Sequence, residues 1–232
     1  MPEPKRPSQL SEYAARTLQA VADEGLGHKI SLGGALGILH YLDYRATHDV
    51  DAWWIPSTTE VEREQILQTI EESLQPLGDV RRRSWGEVVS IELKVSGKTV
   101  FSFQIASRSA RLAALERLPW TDVALDSLPD LIASKMTALV ERGAPRDFRD
   151  IYALCDSGLT TAQECWELWA ERLRKAGNEA DRQRALLAVQ THLARVAKHR
   201  PLEAIPEADQ RDEAVRVRSW FAEVLLDATL LD

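Results

Sequence analysis

Cysteine is nearly absent: Cys155 and Cys165 are the only two in 232 residues. Two thiols can build neither a disulfide framework nor a zinc cluster, and a reducing cytoplasm suits such a chain. Long apolar runs are missing too. Nothing approaches the roughly 18 residues a membrane helix needs, so a spanning protein is not expected. The first ten residues, MPEPKRPSQL, contain no apolar core of a secretory signal. Positive charge is in deficit, with 29 Lys and Arg against 36 Asp and Glu and a net charge of −7. A bulk electrostatic nucleic-acid binder is normally basic, so any nucleic-acid contact must come from a local patch. Arg81, Arg82 and Arg83 form one candidate, and Arg108, Arg111 and Arg117 another. The alternative for both is a solvated face.

What is present is an ordinary globular composition, 44% hydrophobic and 28% charged. The length suits one or two domains. Residues 8–24 carry a helical apolar period (Leu10, Tyr13, Ala14, Thr17, Leu18, Val21) that stops at Gly25. A strand is expected at 29–32, a helix at 35–42 after Gly33-Gly34, and a strand at 50–55. Thr59 and Glu62 read as a capping box for a helix to about Leu74. Strands follow at 80–83, 88–95 and 99–105, the last two as a hairpin. A three-residue loop, Ser96 to Lys98, sets Glu92 opposite Ser102 and Ser90 opposite Gln104.

The character changes after Pro119. From Ser127 onward only helices are expected: to Gly143, over 146–156, from a second capping box at Thr161 and Glu164 to about Lys175, over 179–199 and over 210–230. The expected class is α+β, a mixed sheet with flanking helices followed by a helical domain. The domain boundary is expected at 118/119, giving domains 1–118 and 119–232.

Two stretches carry chemistry. In the first, Gly33-Gly34 ends a strand and opens a helix, where backbone N–H groups can approach an anion. Asp49 and Asp51 follow on a strand, two apart and so on one face. Adjacent carboxylates favour a neutralising cation, and Mg²⁺ suits two carboxylates plus substrate phosphates. The flanking residues Val50, Ala52, Trp53, Trp54 and Ile55 bury at least one face of that strand. In the second stretch, Lys135 and Arg142 share a helix face, and Asp147 and Asp150 open the next helix. The plain reading is a set of inter-helix salt bridges. The functional one is a cationic grip on a triphosphate. The five histidines show no metal-ligand spacing, and His48 reads as structural. Trp85 and Trp120 lie in loop-like contexts where a base or partner could reach them. The cysteines read as small core residues.

Taken together, Gly33-Gly34, Arg45-x-Thr47-x-Asp49-x-Asp51, Lys135-x-x-Ala138-Leu139-x-x-Arg142 and Arg146-Asp147-x-x-Asp150-Ile151 resemble the AbiEii/AbiGii toxin family. These are nucleotidyltransferase-fold proteins of bacterial toxin–antitoxin and phage-defence systems. The resemblance covers roughly residues 25–156. It implies Mg²⁺-dependent transfer of a nucleoside monophosphate from a nucleoside triphosphate, in some members to tRNA 3′ ends, and a cognate antitoxin as partner. It implies that Gly33 and Gly34 cradle phosphate, that Asp49 and Asp51 hold the metal, and that Lys135 contacts the triphosphate. Arg45 and Arg142 join the nucleotide-binding set, and Asp147 or Asp150 orients Lys135 or assists the attacking hydroxyl. The wider superfamily usually places a third carboxylate on a later strand. Here that strand is Thr99 to Ile105, whose polar face carries Ser102 and Gln104, with Glu92 diagonal to Gln104 as a substitute. Two other readings stay open: a relative that binds nucleotide or a partner without catalysis, and an enzyme that modifies a small molecule or a protein.

Overall fold

The structure is a computed structural model that describes residues 2–227. The chain divides between Leu131 and Ile132 into two units. The division lies further along than the change of character at Pro119, because residues after it still complete the sheet of the first unit.

In that unit, α1 (Glu12–Asp23) is capped by Ser11, which accepts from Ala14 N, and ends before Gly25 at φ 68°. The strand β1 (Ile30–Leu32) leads through Gly33 into a short helix, α2 (Gly34–Leu39). The strand β2 (Asp49–Trp54) is followed by α3 (Glu60–Leu74), whose Thr59–Glu62 capping box forms as expected. Next come β3 (Asp79–Trp85), β4 (Val88–Val95) and β5 (Lys98–Ala106), then the two-residue strands β6 (Glu116–Arg117) and β7 (Ala124–Leu125). They form one mixed sheet in the order β3-β4-β5-β2-β1-β7-β6.

The β4–β5 register pairs Glu92 with Ser102 and Ser90 with Gln104, as the apolar matching predicts. The loop is shorter than expected. Val95 pairs with Lys98, leaving Ser96 and Gly97 as a two-residue turn with φ of 51° and 77°. Both values are positive, the geometry of a type I′ hairpin. A bulge opposite Leu93/Lys94 absorbs the extra residue, so the register beyond it is the expected one.

The sheet is two-sided. Val50, Ala52 and Trp54 of β2, Ile91 and Leu93 of β4, and Phe101, Phe103 and Ile105 of β5 are buried in one cluster with Leu18 and Val21 of α1 and Ile66, Ile70 and Leu74 of α3. Period-two alternation in these strands puts the polar residues on the opposite face.

In the second unit, α4 (Leu128–Glu141, which straddles the division) runs to Gly143 at φ 51°. Then follow α5 (Pro145–Asp156), α6 (Ala162–Lys175), α7 (Arg182–His199) and α8 (Ala208–Trp220), the last continuing as a π-helical turn, Phe221–Leu225. The last three residues of the helix expected over 210–230 lie outside the described residues. Phe148 packs edge-on against Phe221 at 4.7 Å, and Trp166 donates its indole N–H to Leu225 O at 3.1 Å. Cys165 is buried and Cys155 half-buried, with their sulfurs 3.8 Å apart. A mixed sheet with helices followed by a helical part is the α+β class expected. Among the described residues no helix is long and apolar enough to cross a membrane.

Candidate active site

The strand β2 alternates between half-buried Asp49, Asp51 and Trp53 and buried Val50, Ala52 and Trp54. Both carboxylates therefore lie on one face of the sheet, away from the apolar core. Asp49 accepts a 2.8 Å hydrogen bond from Ser102 Oγ, directly opposite it on β5. Gln104 stands opposite Asp51 in the same parallel pairing. The position where a third carboxylate was sought is thus occupied by an amide.

The Gly-Gly turn meets this pair. Gly33 donates its N–H to Asp51 O at 2.8 Å, so its amide is already engaged. What Gly33 supplies is the absence of a side chain, since a Cβ there would overlap Trp53 Nε1 and sit 3.2 Å from Asp126 Oδ2. Trp53 Nε1 is buried and has no hydrogen-bond partner among the described residues. Gly34 has φ +55°, and a Cβ on it would overlap the Asp51 carboxylate. Glycine is required here on both counts.

A buried cluster that the sequence reading missed supports the turn from behind. The sequence offered Arg108 either a basic patch or a solvated face. Instead its side chain is 5% exposed, bonded to Asp126 and, at 3.1 Å, to Asp130. Its guanidinium carbon lies 4.8 Å from the Trp53 ring centroid. Ser31 Oγ donates to Asp126 at 3.0 Å, and the Leu112 and Ala113 amides donate to Asp130. Burial pushes the Asp126 carboxyl up to about 6, against the opposing pull of Arg108 and Ser31. The available signal was two carboxylates, Asp126 and Asp130, inside a stretch from Val123 to Ala133 that is apolar apart from them and Ser127.

Arg45 lies in the loop before β2, with its guanidinium over the Tyr44 ring at 5.6 Å and bonded to Ala46 O at 3.1 Å. His48, read as structural, is exposed just before β2. His40 is the buried histidine: its Nδ1 lies 2.8 Å from Leu36 O, its ring stacks on Trp120, and burial lowers it to about 4. Trp120 is thereby packed inward, whereas Trp85 is 51% exposed.

The helical unit gathers the second set of residues. Lys135 Nζ lies 2.7 Å from Asp150 and 4.0 Å from Asp147. Arg142 binds Asp147 through two parallel bonds of 2.8 and 2.9 Å, and the Ala144 amide donates to the same carboxylate. Lys135 is 7% exposed and both aspartates are fully buried, while Arg142 is 51% exposed, so the expected inter-helix salt bridges form with their carboxylates inside the protein. Such a network is costly to break at one partner.

No cluster of three or more His, Cys, Asp or Glu able to hold a metal occurs among the described residues. The Asp49–Asp51 pair is the smaller set that suits a magnesium ion completed by substrate phosphates.

The sequence matches the family model "Nucleotidyl transferase AbiEii toxin, Type IV TA system" over residues 16–219. The chain belongs to the AbiEii family. That match extends beyond the motifs into the C-terminal helices, as far as α8. Among solved structures, an antigenic nucleotidyltransferase-like protein from Paracoccidioides brasiliensis is similar at 15% identity, over 91% of this chain and 94% of that one, with a TM-score of 0.42. No curated protein matches the sequence. The matched span includes the Gly-Gly turn, the Asp-x-Asp strand and the Lys135 network.

Proposed function

We propose that the protein is a cytoplasmic, Mg²⁺-dependent nucleotidyltransferase toxin that moves a nucleoside monophosphate from a nucleoside triphosphate to an RNA acceptor, with tRNA as the favoured RNA and an antitoxin as its protein partner. The observation that carries the reading is the placement of Asp49 and Asp51 on one sheet face, against a glycine turn that admits no side chain. Asp49 and Asp51 would hold the ion, which when bound neutralises charge on the phosphates. Ser102 fixes Asp49 by its 2.8 Å bond. The first-turn amides of α2, from Gly34 on, and the orphaned indole N–H of Trp53 are donors for a phosphate oxygen. Lys135 and Arg142, with Arg45, complete the proposed nucleotide-binding set, and Asp150 and Asp147 set the position of Lys135.

One observation favours a second reading. Gln104 stands where a general base would be, and an amide cannot take a proton. A relative that binds triphosphate without transferring it is the alternative.

Incubation with total RNA, each labelled triphosphate and Mg²⁺, followed by sizing of the product, separates the readings. We expect label on RNA with the wild type and none with Asp49→Asn or Asp51→Asn, both folded. Triphosphate binding without any labelled product would support the non-catalytic reading. Label on protein or a small molecule would reject RNA as the acceptor.

A further inference from the structure

The strand pairings carry the Asp49–Asp51 face across the sheet to its edge. Asp51 pairs with Gln104, Gln104 with Ser90, and Ser90 with Arg83. The neighbouring rows are Asp49, Ser102, Glu92 and Arg81 on one side, and Trp53, Ala106, Val88 and Trp85 on the other. Directly paired residues share a face, so Arg81, Arg83 and Trp85 stand on the same face as the two aspartates. The bulge of the β4–β5 hairpin lies outside these rows.

This edge is open and polar. The side chains of Arg81 and Arg83 are 54% and 55% exposed, and Trp85 is 51% exposed. Between them and the aspartates the face carries Ser90, Gln104 and Ser102, with Glu92 3.9 Å from Arg83. Arg82, on the opposite face, is tied to Glu64 at 2.6 Å and anchors α3 instead. The Arg81–Asp79 bridge is solvent-exposed, and the Arg83–Glu92 contact is long, at 3.9 Å, with an exposed guanidinium; bridges of this kind contribute only about 0–1 kcal/mol, so either arginine can exchange its partner for a phosphate.

We infer that the β3 edge, Arg81, Arg83 and Trp85, is the track for the single-stranded 3′ segment of the RNA acceptor. The inference rests on the RNA reading proposed above and deepens it. Two exposed guanidiniums on a chain of net charge −7 supply local complementarity to phosphates, and a half-exposed indole beside them supplies a stacking surface. Three strand spacings of ~4.8 Å place Arg83 about 14 Å from Asp51 along the sheet. At roughly 3.4 Å per stacked nucleotide that span is about four nucleotides. The reacting end would lie at the aspartates and the nucleotides upstream of it on β3.

The test uses the full chain and fluorescein-labelled single-stranded RNAs of two and eight nucleotides, with binding followed by anisotropy over a salt series and transfer followed with the same RNAs as acceptors. For the longer RNA, Arg81→Ala/Arg83→Ala should lower the slope of log affinity against log salt by about 1.4, at ~0.7 per phosphate contact on single strands. Trp85→Ala should weaken its binding at least about fivefold. Both variants should bind triphosphate and the two-nucleotide RNA as the wild type does, and Arg81→Lys/Arg83→Lys should keep the wild-type salt slope. A wild type that labels RNA, with unchanged affinity and slope in all variants, would overturn the track while leaving the RNA reading in place. A wild type that labels no RNA would remove the RNA reading, and the track with it.

Discussion

Gly34 and Asp51 fit together so closely that any side chain on the glycine would overlap the aspartate's carboxylate. The glycine also sits at φ +55°, a region that costs other residues roughly 1–2 kcal/mol. Gly34→Ala should therefore displace Asp51 and lower stability together. The expected result is loss of Mg²⁺-dependent triphosphate binding with a Tm lowered by several degrees, read by calorimetry and nucleotide titration. Unchanged binding would show that the turn does not set the Asp51 geometry.

Lys135 is buried with Asp150 and Asp147. Removing it takes the 2.7 Å cation from buried Asp150, while Asp147 keeps its two bonds from Arg142, and breaking one partner of such a buried pair costs about 3–5 kcal/mol. Lys135→Met should show that loss in urea unfolding even without ligand. A loss below about 1 kcal/mol would mean that the remaining partners of the two carboxylates suffice without Lys135.

Gln104 faces Asp51 across β2–β5, whereas Glu92 leans to within 3.9 Å of Arg83 on the edge strand. Gln104→Asp should raise kcat of transfer by up to about a hundredfold if a general base is what the site lacks. Glu92→Gln should leave kcat unchanged. The reverse pattern would assign the third acid to Glu92.

Two buried groups oppose each other in their pH dependence. His40 is lowered to about 4, so between pH 4 and 6.5 the unfolded chain binds the extra proton and stability rises with pH. Asp126 is raised to about 6, so between roughly pH 4 and 6 the folded chain holds the extra proton and stability falls as pH rises. Each contributes on the order of 3 kcal/mol, so the two slopes oppose each other at similar size. His40→Gln should show a Tm that falls from pH 4 to 6, and Asp126→Asn one that rises. Parallel profiles for all three proteins would contradict both assignments.

Much of this was legible from local signals. The Thr59–Glu62 box, the stop at Gly25 and the alternation through β2, β4 and β5 depend on neighbours a few residues away. The pairing of Asp49 with Asp51 on one face follows from period two alone. The strands β6 and β7 were not legible, because two residues are too few to show a period. Arg108 was misread because its burial is decided by Asp126 and Asp130, 18 and 22 residues away in sequence. The hairpin loop was misread by one residue because a bulge in β5 compensates a shorter turn, and alternation cannot distinguish the two solutions.

The separation of the two sheet faces has a consequence for how the sequence can vary. Along β2, β4 and β5 consecutive residues face different surroundings: Val50, Ile91 and Phe103 the packed core, Asp51, Ser90 and Gln104 the polar face on which the proposed site lies. A saturation scan of these strands should split by parity. Within each strand alternate positions would fail in different assays, the core-facing set losing soluble protein and the polar-facing set losing toxicity in cells that still accumulate it. New acceptor preferences could then arise on the polar face without renegotiating the core.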